Sequence, residues 1–363
     1  MKQILCLSTE PWSSSPGRTQ QLMSRLKDAH ILYFYPAADR HDRRYLGKGK
    51  KVRPNVTAYA LPPILLPVGE RWQLIFQAGR KKLGRYVADK AAAHRFRSPL
   101  LWVTSPEHVH LLDHLSYDGM VYDCDREWDA LPPDWEGSLA QAADVVFAAS
   151  PLIRRRLTPC SPNIALLPNG VNFPLFANDT TSPRRDPLPH VRGPVLGWAG
   201  TIQEDLDLTP LVHAAQARPD WSFLLVGQIL DNPALPVLKL LHNVILPGPC
   251  AMSEVPDWLY RCDVLLEFTQ DGRADDGVIS PRVYEYLCTG KPVVAMLWPD
   301  QVETFADVIY GAHNEREFVT LCAHALEEPE GFVSCRRREH GAAAAWPIRA
   351  GEVYRIVDTA GLL

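Results

Sequence analysis

Short apolar runs alternate with amphipathic segments along most of the 363-residue chain. Each run is too short for a helix and is rich in β-branched or aromatic residues, which is typical of strands buried on both faces. The predicted strands are 3–7, 31–35, 56–60, 100–103, 120–122, 145–148, 164–167, 195–199, 223–226, 243–246, 263–268 and 293–296. Strands that alternate with helices indicate an α/β fold with parallel sheets covered on both faces.

The amphipathic segments between these runs predict helices. Ser150 is a typical N-cap residue, and Pro151 after it is a typical first residue of a helix. Gly17-Arg18 is predicted to begin the first helix, after a Ser-rich loop. The predicted helices are 17–27, 70–97, 107–115, 135–143, 151–157, 208–217, 256–261 and 346–360.

The second half of the chain repeats the strand and helix order of the first half, which predicts two Rossmann-like domains with a cleft between them. Residues 174–194 are rich in Pro, Arg, Asp and Thr and indicate a linker between the domains. The predicted boundaries are 1–172 for the first domain, 173–194 for the linker, 195–345 for the second domain and 346–363 for a final helix.

Composition narrows the class of protein. Hydrophobic residues make up 46% and charged residues 22% of the chain, as in a globular protein. The sequence has no apolar run of membrane-spanning length and no signal-peptide pattern at its start. The eight cysteines form no C-x-x-C pair, so free thiols in a reducing compartment are expected. These features predict a cytoplasmic protein.

The stretch from Asp275 to Met296 carries the densest set of candidate binding residues. It predicts a polar loop, a short helix ending at Gly290, and a buried strand. Arg282 and Glu285 lie one turn apart at the start of this helix, and a helix N-terminus behind a polar loop can bind an anion. The alternative from periodicity alone is an ordinary surface helix packed on a sheet.

This stretch resembles the donor-binding segment of retaining GT-B glycosyltransferases. The resemblance rests on Tyr284-Glu285-Tyr286-Leu287 followed by Gly290-Lys291-Pro292-Val293-Val294, and it extends to Ala143–Ser150 and to Pro168-Asn169-Gly170-Val171-Asn172. It implies a GT-B fold, with two Rossmann-like domains facing across a cleft and the final helix crossing back to the first. It also implies that Glu285 holds the ribose hydroxyls of a nucleotide sugar, because a carboxylate accepts two hydrogen bonds from a diol.

The sequence departs from the family at two positions. Gly277 stands where many members have a glutamate that faces the donor sugar, and Asp275 or Asp276 are alternatives for that task. No Arg/Lys pair follows Gly200, so Arg282 is predicted to stabilise the donor diphosphate. The donor-binding residues implied by the resemblance are Gly200, Thr201, Ser280, Pro281, Arg282, Tyr284 and Glu285.

The absence of the Arg/Lys pair after Gly200 is similar to what one subgroup of the family shows. Ser280-Pro281-Arg282 and Gly200-Thr201-Ile202-Gln203-Glu204 are similar to sequences of bacterial polysaccharide and teichuronic-acid-type transferases.

Candidate residues of the first domain lie near the predicted ends of its strands. Asp123 and Asp125 predict a donor-sugar or acceptor contact, with a metal pair or a helix N-cap as alternatives. Arg18 and Gln21 open the first helix and predict an acceptor or phosphate contact, unless that helix start is simply exposed. His108 is a further candidate on the acceptor side, and its spacing from His110 does not favour a shared metal.

These residues together predict an enzyme that transfers a sugar from a UDP- or GDP-sugar to a saccharide or lipid-linked acceptor in bacterial polysaccharide or glycoconjugate synthesis. Asp123 and Arg282 are the predicted catalytic residues, and no metal or other cofactor is expected. Retention of configuration is implied by the resemblance alone. The alternatives are a nucleotide-sugar epimerase of the same fold and a non-enzymatic two-domain sugar-binding protein.

Positive charge is concentrated between Arg40 and Arg97. This segment holds fifteen Lys or Arg residues and three Asp or Glu residues in a chain of net charge −4. It also carries the apolar residues Leu65, Leu66, Trp72, Leu74, Ile75 and Phe76. A basic segment with apolar side chains fits an anionic membrane, so peripheral association with the inner membrane face is one expectation. A solvated basic helix is the alternative, and the sequence shows no nucleic-acid-binding module.

Overall fold

The structure is a computed structural model that describes residues 2–13, 15–37, 47–63, 73–177, 186–268, 276–296, 304–329 and 331–362. It divides into two compact units, Met1–Pro168 with Trp346–Leu363, and Asn169–Ala345. The described residues of the predicted linker, 173–177 and 186–194, fall within the second unit. Asp275, Arg40 to Arg44, Leu65, Leu66 and Trp72 lie outside the described residues.

The described residues of the first unit form eight strands: β1 (Lys2–Leu7), β2 (Ala29–Pro36), β3 (Lys50–Arg53), β4 (Val56–Leu61), β5 (Leu100–Val103), β6 (Gly119–Cys124), β7 (Val145–Ala148) and β8 (Ile164–Leu166). They make one sheet in the order β3-β4-β2-β1-β5-β6-β7-β8, and only the β3–β4 pair is antiparallel. Six strands, β1, β2, β4, β5, β6 and β7, are buried along most or all of their length, as expected for a sheet covered by helices on both faces.

The helices of the first unit include one from the end of the chain. They are α1 (Arg18–Met23), α2 (Gln73–Ala93), a 3₁₀ helix (Pro106–His114), α3 (Pro133–Ala142), α4 (Pro151–Leu157) and the last helix of the chain, Trp346–Thr359. Trp346, Val353 and Val357 of the last helix belong to the same apolar core as Ile4 and Trp102 of the sheet. The last helix therefore completes the core of the first unit.

The described residues of the second unit form six strands: β9 (Val195–Ala199), β10 (Ser222–Val226), β11 (Val244–Gly248), β12 (Val264–Glu267), β13 (Val293–Ala295) and β14 (Tyr310–Gly311). They make one parallel sheet in the order β11-β10-β9-β12-β13-β14. Its helices are α5 (Phe173–Phe176), α6 (Thr209–Ala217), α7 (Leu235–Leu238), α8 (Val255–Arg261), α9 (Pro281–Thr289), α10 (Glu315–Leu326) and α11 (Phe332–Ala343); the last helix of the chain is α12. Separate apolar clusters pack on the two faces of the sheet.

Predicted and observed elements differ in several places, including the predicted helix 70–97, which ends at Ala93, and the unpredicted helices Glu315–Leu326 and Phe332–Ala343. The first helix ends at Met23 rather than Lys27, because the Ser24 hydroxyl donates to the Gln20 carbonyl at 2.6 Å and the chain tightens there. The predicted helix 107–115 is a 3₁₀ helix. No strand is predicted between residues 35 and 56, but the structure has β3 there, a lysine-bearing edge strand; charged side chains on an edge strand disfavour pairing with further strands.

Two further findings concern composition. All eight cysteines are free thiols. No helix in the part of the chain that the structure describes has the length and apolar character needed to cross a membrane.

Candidate functional site

A cluster of charged and aromatic side chains lies at one edge of the second sheet, where β9 and β12 end and α9 begins. β9 and β12 are neighbouring parallel strands, so their carboxyl ends meet at the same edge. The cluster contains Trp198 from β9, Glu267 from the end of β12, and Arg282, Glu285 and Tyr286 from α9. Open α/β sheets bind ligands at this edge, which makes the cluster the first candidate site.

An ion pair between Arg282 and Glu267 lies at the centre of the cluster. Arg282 Nη1 donates to Glu267 Oε1 at 2.6 Å, and the two side chains are 22% and 4% exposed. Burial raises the pKa of the Glu267 carboxyl, although the Arg282 guanidinium opposes the shift. The other carboxylate oxygen, Oε2, is buried and has no hydrogen-bond partner among the described residues. The pair therefore leaves one polar atom unsatisfied inside the protein.

Trp198 and Gly200 fix the position of the guanidinium. The Arg282 guanidinium lies over the Trp198 ring, 4.6 Å from its centroid, in cation–π geometry. A Cβ at Gly200 would lie 2.6 Å from the Trp198 ring and 3.0 Å from Arg282 Nη2. Only glycine fits at position 200 without displacing these groups. The predicted donor-binding residues Gly200 and Arg282 are thus neighbours, while Thr201 is exposed.

Glu285 has a different environment from Glu267. Among the described residues its carboxylate has no hydrogen-bond or ion-pair partner. Burial raises the pKa of Glu285 to about 7; Arg282 lowers it and Glu267 raises it further. A carboxyl group that is desolvated and unpaired in the folded protein is typical of a binding or catalytic site. Tyr284, the preceding residue, is buried in the apolar core of the unit.

The start of α9 is held by local hydrogen bonds. The Ser280 hydroxyl accepts the Arg282 backbone N–H at 3.3 Å as N-cap, and Pro281 occupies the first helical turn. The preceding loop is held by Asp276, whose Oδ1 accepts the Val278 N–H at 2.9 Å. Ser280 and Pro281, both predicted donor-binding residues, therefore set the orientation of the helix that carries Arg282 and Glu285.

Asn169 connects this loop to the beginning of the second unit. Its side-chain amide donates to the Ile279 carbonyl at 2.9 Å. Asn169 belongs to the Pro-Asn-Gly-Val-Asn turn, so two separate segments that carry the sequence resemblance are in direct contact.

The first unit pairs two predicted site residues in its interior. Arg18 donates to Asp123 from Nε at 3.0 Å and from Nη2 at 2.8 Å, and the two side chains are 5% and 1% exposed. Asp123 lies within β6 rather than beyond its end. Burial raises the pKa of Asp123, and the Arg18 guanidinium opposes that shift. The structure thus joins the predicted catalytic Asp123 to the predicted acceptor-side Arg18 as a buried pair.

The remaining acceptor-side residues have local partners. Asp125 accepts from Arg126 Nε at 2.9 Å, and Arg126 also contacts Glu10 at 3.4 Å. Gln21 accepts from Arg25 at 2.6 Å on α1. These contacts leave Glu10 and Arg126 as the more exposed charges of this group, with 46% and 36% exposure.

His108 is part of the cap of the 3₁₀ helix. Its Nδ1 accepts the Ser105 backbone N–H at 3.3 Å, while the Ser105 hydroxyl accepts the backbone N–H of Glu107 in the first turn of the helix. Burial lowers the pKa of His108 to about 4, so the ring is neutral at pH 7. Its observed contact is structural.

No group of three or more His, Cys, Asp or Glu residues within the described ranges is arranged to hold a metal ion. Asp123 and Asp125, the pair considered from the sequence, are instead bound to Arg18 and Arg126 respectively.

Sequence reasoning missed Glu267, Trp198, Gln20 and Arg126. Glu267 had a usable signal, since it is the single charged residue at the end of the apolar run Val264-Leu265-Leu266. Gln20, rather than Gln21, holds the loop after β1: it exchanges hydrogen bonds with the Ser13 backbone at 2.7 and 3.0 Å. Nothing in the local sequence distinguishes these two glutamines.

The fold is that of the GT-B glycosyltransferases, which confirms the predicted pair of Rossmann-like domains. Sucrose-phosphate synthase from Thermosynechococcus elongatus superposes with a TM-score of 0.74, covering 99% of this chain and all of that one, at 16% identity. HepE from Anabaena, solved with UDP and glucose, superposes with a TM-score of 0.70 over the full length of both chains at 17% identity. No protein-family model matches the chain.

One curated relative carries the resemblance at the level of sequence. It is the putative teichuronic acid biosynthesis glycosyltransferase TuaH of Bacillus subtilis, which is 28% identical over 251 residues. The match covers 62% of this chain and 63% of the relative, so it spans less than two thirds of either protein. The resemblance to GT-B glycosyltransferases, including the teichuronic-acid type, is confirmed.

Proposed function

We propose that this protein is a glycosyltransferase that moves a sugar from a UDP-sugar to a saccharide or lipid-linked acceptor in bacterial polysaccharide synthesis. The observation that carries the proposal is the unpaired Glu285 carboxylate on α9, at the edge of the sheet where this fold binds ligands. HepE, a protein of the same fold, is solved with UDP and glucose, which supports UDP over GDP as the nucleotide.

In the proposed mode of binding, the two oxygens of Glu285 accept hydrogen bonds from the two ribose hydroxyls. A diol supplies two donors, and a charged acceptor makes stronger hydrogen bonds than a neutral one. A pKa of about 7 means that the free site is partly protonated near neutral pH. Hydrogen bonds to the ionised form favour it, so binding of the diol should lower the pKa of Glu285.

The proposed diphosphate site uses α9 and Arg282. Amides at the start of α9 are oriented toward an anion by the helix, and the Arg282 guanidinium lies beside Gly200. Glu267 and Trp198 hold that guanidinium in place before the substrate binds, so little side-chain entropy is lost on binding. Charge that develops on the departing diphosphate would be stabilised by these groups without a metal ion.

The first unit is the proposed acceptor domain. Glu10, Asp125 and Arg126 are partly exposed charges beyond the carboxyl ends of β1 and β6. Such residues suit hydroxyl-rich or charged acceptors because they can donate and accept hydrogen bonds. Retention of configuration is part of the proposal and rests on the sequence resemblance.

The proposed location is the cytoplasmic face of the inner membrane. Leu74 and Ile75 on α2 are 82% and 51% exposed, and Arg80, Lys81, Lys82 and Arg85 follow on the same helix. Exposed apolar side chains beside a basic stretch fit an anionic surface, with about 1 kcal/mol per basic residue near it. Flotation with phosphatidylglycerol vesicles at low salt tests this. Loss of flotation is expected on mutation of all four cations to glutamate, and equal flotation with neutral vesicles would exclude the docking.

A nucleotide-binding experiment tests the donor site. Melting temperatures are measured with UDP, GDP, ADP, TDP and CMP, and a preferred nucleotide at 100 times its Kd should add about 2.7 kcal/mol of stability. Calorimetry then compares Glu285→Ala with Glu339→Ala, an exposed glutamate of the same unit. Loss of one charged hydrogen-bond partner should weaken UDP binding by about 1.5–3 kcal/mol in the first variant only. Unchanged affinity in Glu285→Ala contradicts the assigned site.

An activity experiment separates transfer from the alternatives. Incubation with UDP-glucose, with and without an acceptor extract, should release UDP only when acceptor is present. An epimerase would convert the free UDP-sugar without acceptor, and a binding protein would do neither. Activity should persist in EDTA; restoration by manganese after its loss would show that a divalent ion takes part.

A further inference from the structure

A second cavity lies in the first unit, at the edge of its sheet opposite to the strand ends that carry Asp125. It has a volume of about 730 Å³ and opens at the amino ends of β1 and β2, beside α1 and α12. Small-molecule sites typically have volumes of about 300–1,000 Å³. The cavity is therefore large enough for a ligand, and neither the sequence resemblance nor the proposed reaction uses it.

The polar lining of this cavity is dominated by positive charge. Four cations line it: Lys2, Arg25, Lys27 and Arg53. The single acidic side chain of the lining is Asp28. Among the described residues, Lys2, Lys27 and Arg53 make no ion pair, and Arg25 donates only to the backbone oxygen and the side chain of Gln21. The lining thus has several donors available and an excess of positive charge.

Arg25 and Arg53 are close enough to repel each other. Burial lowers the pKa of Arg25, and the positive charge of Arg53 lowers it further. Like charges held together without a counter-ion are unfavourable, and an anion placed between them removes that repulsion. Guanidinium groups suit phosphate in particular, because their fork geometry allows two parallel hydrogen bonds to one anion.

The opposite wall of the cavity belongs to α12. Pro347, Ala350, Gly351 and Tyr354 follow one face of that helix at spacings of three and four residues. Three of them are small, and a Cβ at Gly351 would meet no atom within 4 Å. Tyr354 is 46% exposed and presents an aromatic ring at the cavity. This wall is apolar, whereas the wall formed by the strands and α1 is cationic.

We propose that this cavity binds a phosphate monoester that carries an apolar or aromatic group. The phosphate would lie between Arg25 and Arg53, with Lys2 and Lys27 around it, and the apolar part would pack against Gly351 and Tyr354 of α12. The same chemistry is shared by a soluble organic phosphate and by the headgroup of a phosphatidate lipid. Binding here does not depend on the glycosyltransferase activity.

Calorimetry with phenyl phosphate tests the site in the full-length protein, with UDP at saturation so that the second unit does not contribute. Arg53→Ala removes an exposed guanidinium and should weaken binding roughly tenfold to a hundredfold. Gly351→Phe places a ring in the open space and should weaken binding at least tenfold. Both variants should keep the wild-type melting temperature to within a few degrees. Arg155→Glu, an exposed arginine on α4 of the same unit, is the matched control and should bind as wild type.

A second arm distinguishes the two sources of phosphate. Flotation with phosphatidic acid vesicles, compared with phosphatidylglycerol vesicles of equal charge, is measured for wild type and for Gly351→Phe. Selective loss of phosphatidic acid binding in the variant identifies a lipid headgroup, and binding of phenyl phosphate alone identifies a soluble ligand. Absence of binding in both arms, or equal weakening in Arg155→Glu, overturns the proposal.

Discussion

Arg282 and Glu267 form an ion pair at 2.6 Å in which the carboxylate is almost fully buried and one of its oxygens has no partner. The pair connects the end of a central strand to the first turn of the helix that carries Glu285. It places a positive charge beside Gly200, where the sequence has no Arg/Lys pair.

Loss of Glu267 should destabilise the protein. Glu267→Gln leaves the Arg282 guanidinium without its counter-ion in a largely buried position, at a cost of about 3–5 kcal/mol. Urea denaturation measures the free energy of unfolding. The double variant Glu267→Gln with Arg282→Leu should recover part of that loss because it also removes the guanidinium that Glu267→Gln leaves without its counter-ion. Additive losses in the double variant would show that the two groups do not interact.

The raised pKa of Glu285 predicts a pH-dependent stability. The folded protein holds a proton up to about pH 7, whereas the unfolded carboxyl releases it near its ordinary pKa of 4.5. The contribution is therefore fully present below pH 4.5 and is lost as the pH rises through 7, by at most about 1.4 kcal/mol per pH unit. Glu285→Gln should flatten the thermal stability profile between pH 5 and 7.5. A profile that keeps the wild-type slope would place the titrating group elsewhere.

Asp123→Asn should be among the most destabilising single changes in the first unit. It removes the carboxylate charge that pairs with the Arg18 guanidinium in the interior, and breaking a buried ion pair costs about 3–5 kcal/mol. Arg18→Met with Asp123→Leu should be closer to wild type, because both charges are replaced by apolar groups. Asp220→Asn, in the exposed pair with Arg218, provides a control that should change the melting temperature far less. Similar losses at both sites would contradict the assignment of the buried pair.

Two glycines should respond to alanine in opposite directions. Gly290 has φ +76 at the end of α9, and its Cβ would lie 2.5 Å from Ser334 Oγ, so Gly290→Ala should destabilise by at least about 1–2 kcal/mol. Gly351 lies inside α12 with open space around it, so Gly351→Ala should stabilise by about 0.5–1 kcal/mol. Thermal denaturation of both variants checks the signs. Equal changes in stability for the two variants would mean that backbone conformation does not determine the effect of alanine at these positions.

The part of the fold that the sequence predicted is the part set by local chemistry. Buried strands appear as short apolar runs, and Ser150 and Ser280 begin helices and Gly290 ends one, through contacts made within a few residues of each. β3 was missed because its basic residues are typical of a solvent-exposed segment, and the strand is held by backbone pairing with β4. The 3₁₀ helix was missed because helical period alone does not separate it from an α-helix.

The candidate site was predicted unevenly for a related reason. The residues of α9 were found because they are contiguous and carry the family resemblance. Arg18 and Asp123 were both named, but their pairing over 105 positions of sequence has no local signal. Glu267 was overlooked although its position at the end of an apolar run is a usable signal, because its partner Arg282 comes from another segment, 15 positions further along the chain.

The division of the chain also dictates an order of events during synthesis. The core of the first unit requires Trp346, Val353 and Val357, which leave the ribosome after the whole of Asn169–Ala345. At about 5–20 residues per second, that intervening segment takes roughly 10 to 35 s to translate. For that interval the nascent amino-terminal sheet carries uncovered apolar surface, and the second unit has all its residues before Trp346 is added. Truncation before Trp346 should therefore yield a protein whose carboxyl-terminal unit is folded and whose amino-terminal unit is sensitive to protease.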